Sequence, residues 1–148
     1  MNREAADFRR SVEPSAERIQ GFVAAADDGA PLVMLNLLRY RERARYPAGA
    51  GAVDPCSGRE AYQRYAAVAL QKVASVGGRI VWMGRVAASV IAPEGEEWDD
   101  AVLVEYPSRK AFLAMIGLPD YQAAAVHRTA ALEDSRLIAT HAQTGPPG

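Results

Sequence analysis

Residues 105–139 read EYPSRKAFLAMIGLPDYQAAAVHRTAALEDSRLIA, and this stretch decides the fold. An extended segment is followed by Ser108, whose hydroxyl can cap a short helix. Pro119 suits the first turn of a second helix, which we expect to end near Thr129. Arg136–Thr140 then has the composition of a short strand. The stretch therefore predicts a strand, two helices and a closing strand.

The preceding residues predict a helix, a strand and a longer helix. Residues 14–26 place apolar side chains on one helical face, with Pro14 in the first turn. Leu32–Leu38 is an almost continuous apolar run of strand length, and residues 41–57 are rich in Pro, Gly and Arg and predict a loop. Ser57-Gly-Arg-Glu60 has the spacing of a capping box, which predicts a helix that ends at Gly77-Gly78.

A hairpin connects this helix to the first stretch. We expect one strand over Ile80–Ile91, a charged turn over residues 93–97 and a returning strand over Ala101–Tyr106. After the first helix, the order of elements is βαββαβ. This order predicts the α+β ferredoxin-like fold, in which helices cover one face of a four-stranded antiparallel sheet. The helix over residues 14–26 is an addition to that fold.

The first strand carries apolar side chains on both faces, although a sheet covered by helices on one side needs only one apolar face. Leu32 and Met34 point to one side, and Val33, Leu35 and Leu37 point to the other. We therefore expect a homodimer in which two sheets pack face to face, as in a dimeric α/β barrel. The N-terminal helix is the alternative cover for the second apolar face.

Length and composition bound the class of protein. The chain has 148 residues, 49% of them hydrophobic, and a net charge of −1. These values predict a single globular domain over residues 14–141, between a tail at 1–13 and a disordered tail at 142–148. Neither nucleic acid nor a membrane is an expected partner. One cysteine, Cys56, cannot form an internal disulfide, so we expect a cytoplasmic protein.

Several short segments together resemble the bacterial family known as domain of unknown function 1330, over about residues 31–140. The segments are Val33–Leu38, Tyr62–Tyr65, Gly77–Arg79, Glu105–Ser108, Pro119–Tyr121 and Asp134–Ile138. The resemblance implies membership of the dimeric α/β-barrel superfamily. Other members of that superfamily include cofactor-independent monooxygenases, lactone isomerases, dehydratases and haem proteins. An activity carried over from them would rest on the fold alone.

Two adjacent residues are the candidates for catalysis. An imidazole such as that of His127 can both give and take a proton near neutral pH. Arg128 can hold a carboxylate or an enolate. In the alternative interpretation, His127 is a surface residue and Arg128 pairs with Glu133 or Asp134.

Four further residues are candidates for substrate binding. Asn36 interrupts an apolar strand, where its amide either orients a ligand carbonyl or bonds a neighbouring strand. Tyr62 and Tyr65 lie three positions apart on one helix face, and Trp82 lies in a strand. Each of these aromatic residues is a pocket candidate, although aromatic side chains at such spacing more often belong to the core.

The sequence lacks the patterns of metal and cofactor sites. Its two histidines are far apart, and it contains no glycine-rich phosphate loop and no nucleophile elbow. We therefore expect no metal and no cofactor. The chemistry that remains is acid/base catalysis by a cofactor-independent enzyme on a small carbonyl-bearing or aromatic metabolite. The alternative is a dimeric accessory protein that binds a small molecule without turnover.

Overall fold

The computed structural model describes residues 10–25, 28–49, 51 and 53–147. We number the elements within these residues in chain order. The helices are α1 (Ala16–Ala24), α2 (Gly58–Ser75), α3 (Arg109–Ile116) and α4 (Pro119–Ala131). The strands are β1 (Leu32–Tyr40), β2 (Arg79–Arg85), β3 (Asp100–Tyr106) and β4 (Leu132–Thr140).

The four strands form one antiparallel sheet in the order β2-β3-β1-β4. Leu32 and Met34 of β1 pack against Val73 of α2 and against Phe112 and Met115 of α3. The helices therefore lie on one face of the sheet, which we call the inner face. This arrangement confirms the predicted ferredoxin-like α+β fold.

The helix starts follow the predicted capping residues. Ser57 Oγ accepts from the backbone N–H of Glu60 at 3.0 Å, and Glu60 Oε1 accepts from the N–H of Ser57 at 2.8 Å. Ser108 Oγ accepts from the N–H of Ala111 at 3.1 Å. Pro119 is in the first turn of α4, where its missing N–H costs nothing. These caps depend on residues close in sequence, so local spacing identifies them.

The first helix begins slightly later than predicted. Ser15 is its cap, because the Ser15 hydroxyl accepts from the N–H of Arg18 at 3.1 Å. Pro14 therefore precedes the helix and is not in its first turn. The predicted end at residue 26 lies outside the described residues.

The boundaries of two predicted strands are wrong. β4 begins at Leu132, four residues before the predicted start. Its acidic beginning enters the sheet because the Asp134 carboxylate accepts from Ser11 N, Ser135 N and Arg136 Nη1 at 2.7–2.9 Å. β2 ends at Arg85 instead of Ile91, since its neighbour β3 begins only at Asp100. Strand propensity depends on the residues of one strand and cannot show where pairing with the neighbouring strand ends.

The sheet face away from the helices, here called the outer face, carries one apolar row across all four strands. The cross-strand register places Trp82, Leu103, Leu35 and Ile138 in one row. α1 does not cover this row, because Phe22 packs edge-on against Phe112 of α3 at a ring distance of 5.7 Å. The alternative in which the N-terminal helix covers the second apolar face is therefore wrong.

The described part of the segment before α1 is attached to the domain by hydrogen bonds. Ser135 Oγ donates to the carbonyl of Ser11 at 2.6 Å, and Arg128 Nη1 donates to that of Val12 at 2.7 Å. Residues 10–12 of the predicted tail are thus attached, and residues 1–9 lie outside the described part. None of the helices described combines the length and apolar character required to cross a bilayer.

The start of α2 should tolerate no side chain at Gly58. A Cβ there would meet the carbonyl of Arg41 and lie 2.6 Å from the carbonyl of Ala131. We expect Gly58→Ala to lower the free energy of unfolding by about 2 kcal/mol or more, measured by chemical denaturation. Gly21→Ala is the control, because a Cβ at Gly21 in α1 meets open space among the described residues. It should raise stability by about 0.5–1 kcal/mol. Equal effects of the two changes would contradict this account of Gly58.

Candidate functional site

A surface pocket of about 390 Å³ lies between α4 and the loop over residues 41–57. One wall belongs to α4 and the other to the loop. The lining residues are Tyr46, Pro47, Ala48, Gly49, Val53, Ala123, Val126 and His127. The pocket is mostly apolar, with an imidazole and a phenol as its polar groups, which is the composition of many small-molecule sites.

Backbone hydrogen bonds position the loop against α4. Arg41 N donates to the carbonyl of Ala131 at 2.8 Å, and Arg45 N donates to that of Ala130 at 2.9 Å. Ala44 N donates to the carbonyl of Cys56 at 3.0 Å, so the two ends of the loop are also joined. The loop is consequently held along the C-terminal turn of α4, and Tyr46 lies beside His127.

The two polar lining residues, Tyr46 and His127, contact each other, and Arg64 contacts Tyr46 without lining the pocket itself. The Tyr46 hydroxyl lies 2.6 Å from His127 Nδ1, and the two rings meet edge-on at 5.4 Å. Arg64 of α2 donates from Nη1 to the same hydroxyl at 3.3 Å, and both of its terminal nitrogens lie 3.4 Å from the carbonyl oxygen of Asp54. The phenol therefore connects an imidazole to a fixed positive charge.

The charge state of His127 follows from this environment. Partial burial, and then the positive charge of Arg64, lower the pKa of His127 below its ordinary value of 6.5. The ring is therefore mainly neutral at pH 7. Because a guanidinium can only donate, Tyr46 accepts from Arg64 and can donate its own proton to Nδ1. In that arrangement the imidazole proton is on Nε2.

Such a pair can move a proton in either direction. Neutral Nδ1 can take the phenol proton while the phenol oxygen takes one from a ligand, and Arg64 donates to the same oxygen. The reverse transfer restores the original proton positions. The geometry therefore suits general acid/base chemistry on a ligand that touches Tyr46 or His127.

Arg128 does not join His127, although the two are adjacent in sequence. Its Nη1 donates to the carbonyl of Val12, and the pocket lining does not include it. It also does not pair with the acids of the alternative interpretation, because Glu133 binds Arg41 and Asp134 binds Arg136. Arg64 instead provides the positive charge near His127.

The other predicted residues lie away from the pocket. Asn36 is on the inner face, where Nδ2 donates to the carbonyls of Met34 and Val102 at 3.3 Å each. These bonds fit its structural interpretation. Trp82 is on the outer face, and a Cβ added to Gly84 would lie 2.7 Å from its indole. Its ring therefore lies along β2 and over Gly84.

Tyr62 and Tyr65 belong to an aromatic cluster in the helix layer. Their ring centroids are 5.2 Å apart, and the Tyr65 hydroxyl is 2.8 Å from that of Tyr121. Burial raises the pKa of Tyr62 to about 12 and also raises that of Tyr65. Both phenols are thereby held in the neutral form. Their surroundings agree with the core interpretation of these residues.

The described residues contain no group of three or more His, Cys, Asp or Glu side chains that could hold a metal ion. The polar groups here are the imidazole and the phenol that line the pocket and the Arg64 guanidinium bonded to the phenol, and only the imidazole is a common metal ligand. The site therefore does not fit a metal centre.

Sequence reasoning missed Tyr46 and Arg64. Tyr46 lies in a segment that the sequence predicts only as a loop. Arg64 lies on α2 between Tyr62 and Tyr65, the two residues predicted to bind substrate. One signal was available. Residues 39–64 contain six arginines and only three acidic residues in a chain whose net charge is −1. That local excess of positive charge marks the region as a candidate site for an anion.

Comparison with known proteins supports the resemblance found in the sequence. The family model described as domain of unknown function DUF1330 matches residues 55–141. A protein of unknown function from Rhodopseudomonas palustris is 39% identical, with a TM-score of 0.83, and the match covers 93% of this chain and 100% of that one. No curated protein matches the chain significantly.

Two more distant structures have lower scores. A dimeric, ferredoxin-like protein of unknown function from Bacteroides fragilis is 15% identical, with a TM-score of 0.45, covering 75% of this chain and 95% of that one. The hydroxynitrile lyase from Passiflora edulis is 13% identical, with a TM-score of 0.49, covering 80% of this chain and 99% of its own.

The pKa of His127 can be measured by NMR titration of its ring resonances, with His141→Asn as the assignment variant. We expect a value below 6.5, and Arg64→Gln should raise it because that change removes a positive charge. The unfolded chain then binds more protons than the folded one below about pH 6.5. The contribution of His127 to stability is therefore complete above that pH and declines as the pH falls through the folded pKa. A value at or above 6.5 would contradict this electrostatic description.

Proposed function

Because the chain belongs to the family described as domain of unknown function DUF1330, whose name states no activity, we propose its function from the geometry of the pocket. We propose a cofactor-independent enzyme that acts on a small carbonyl-bearing or aromatic metabolite by acid/base chemistry. The observation that carries the proposal is the 2.6 Å contact between the Tyr46 hydroxyl and His127 Nδ1. The lowered pKa of His127 supports it, since a neutral imidazole can act as a base at pH 7.

Each of the three polar residues has a role in this proposal. Tyr46 takes a proton from the ligand as it passes its own proton to His127 Nδ1, and the reverse transfer gives a proton back to the product. Arg64 stabilises the negative charge that appears on the phenol or on an enolate of the ligand. Arg64 thus takes the role that the sequence suggested for Arg128. The Arg64 guanidinium at the Tyr46 hydroxyl favours a ligand that is an acid or a phenol.

His127→Ala should separate ligand binding from folding. His127 is half-buried at the pocket edge, so we expect its loss to change the free energy of unfolding by well under about 1 kcal/mol. The melting temperature should therefore stay within a few degrees of the parent. A thermal-shift screen with small carboxylic acids, phenols and ketones supplies the ligands. The variant should lose the stabilisation that these hits give the parent.

Two control variants and a test for product formation distinguish an enzyme from a protein that only binds the ligand. His141→Ala, which changes the other histidine, should keep the stabilisation, and Tyr46→Phe should lose turnover while keeping most of the binding. Hit compounds that are converted to product identify an enzyme. Stabilisation without product identifies a binding protein, the alternative interpretation. If His127→Ala binds the hits as well as the parent does, the site is wrongly placed.

We also propose that the chain forms a homodimer through the outer face of the sheet. The apolar row across all four strands supports this, because a monomer would leave it in contact with water. Trp82 is 55% exposed in the single chain, although it is among the largest apolar side chains. Its proposed place is therefore the interface and not the substrate pocket.

Light scattering after size exclusion should give a mass of about twice 15.9 kDa. Trp82→Glu should give a monomer, because face-to-face packing would bury the new charge. Val23→Glu on α1 is the matched control, since Val23 is also 55% exposed in the single chain. The control should remain dimeric. A parent that is monomeric at micromolar concentration would refute the dimer.

A further inference from the structure

The connection between β2 and β3 contains a strand-like sequence that is not in the sheet. Residues 86–92 read VAASVIA and follow directly on β2. Their composition predicts a strand through Ile91, and the structure ends β2 at Arg85. Only the first residue continues the hairpin, through Val86 N donating to the carbonyl of Asp99 at 2.8 Å. We call residues 86–92 the arm.

The arm exposes its largest apolar side chains almost completely. Val90 is 89% exposed and Ile91 is 96% exposed. A single exposed apolar residue is ordinary on a protein surface. Two adjacent β-branched residues on an unpaired segment that extends an edge strand are different, because they offer both side chains and backbone groups for strand pairing.

Contacts of the same connection place the arm on the outer-face side of the sheet. Arg136, opposite Leu37 on that face, lies 5.0 Å over the ring of Trp98. Its Nη2 is also 3.8 Å from Glu96 Oε1. Ser89 of the arm then donates from Oγ to the carbonyl of Glu96 at 3.3 Å. The arm is thus tied to the segment that borders the apolar row.

We propose that the arm of one chain docks on a second copy of the same chain and adds to its sheet as a strand. The inference rests on the proposed homodimer and goes beyond it, because it assigns a second contact outside the face-to-face sheets. The arm and the apolar row are on the same side of the molecule, so one two-fold axis would bury both. Pairing with a second copy accounts for a strand-forming sequence that has no neighbouring strand among the residues described in one chain.

Charges placed on the arm test the inference. The parent, the double variant Val90→Asp/Ile91→Asp and the control Leu70→Asp would be compared by sedimentation equilibrium over a dilution series. Leu70 lies on α2 and is 47% exposed. We expect the arm variant to raise the dimer dissociation constant about 10-fold or more, and the control to leave it unchanged. Circular dichroism should show that all three are folded.

Hydrogen exchange gives a second measurement on the unmodified arm. Amides of residues 87–91 should exchange slowly at concentrations where the parent is dimeric, and fast in the monomeric Trp82→Glu variant. If the arm variant dimerises as tightly as the parent, or if the arm exchanges fast in the dimer, the arm inference is overturned while the homodimer remains. A monomeric parent overturns both.

Discussion

The candidate site depends on the close approach of three backbone segments at Gly58. Gly58 N donates to the carbonyl of Arg41 at 3.0 Å, and Arg41 N donates to that of Ala131 at 2.8 Å. The end of β1, the start of α2 and the junction of α4 with β4 therefore meet at one point. Both ends of the 41–57 loop are fixed there, and the bond from Arg45 N to the carbonyl of Ala130 holds its first part along α4. The contact of Tyr46 with His127 follows from this constraint.

The sequence predicts the order of elements well and the ends of some elements poorly, for a physical reason. The starts of α2 and α3 were predictable because a Ser side chain and a backbone N–H three residues later form each cap. The ends of β2 and β4 depend on distant residues. Asp134 can lie in a strand because Ser11, more than a hundred residues earlier, helps to satisfy its carboxylate. Local sequence patterns do not show contacts between residues that are far apart in the chain.

The same limit applies to the candidate site. The chemistry of the imidazole made His127 a candidate without knowledge of the fold. Arg128 was a poor choice of partner, because neighbouring residues on a helix point about 100° apart. The cation that lowers the pKa of His127 comes from another helix, and the phenol comes from a loop. Both depend on how α2, α4 and the loop pack together.

A comparison of two phenol contacts explains why the pocket, and not the aromatic cluster, is the better place for chemistry. The Tyr65 hydroxyl meets that of Tyr121, but burial and the neighbouring phenols raise the pKa of Tyr65, so the phenolate is strongly disfavoured. Tyr46 meets a proton acceptor on one side and a guanidinium on the other. A proton can therefore pass from this hydroxyl to Nδ1 as another arrives from a ligand. The pocket lies in the helix layer, so packing of two outer faces would leave it open to ligand and to solvent protons.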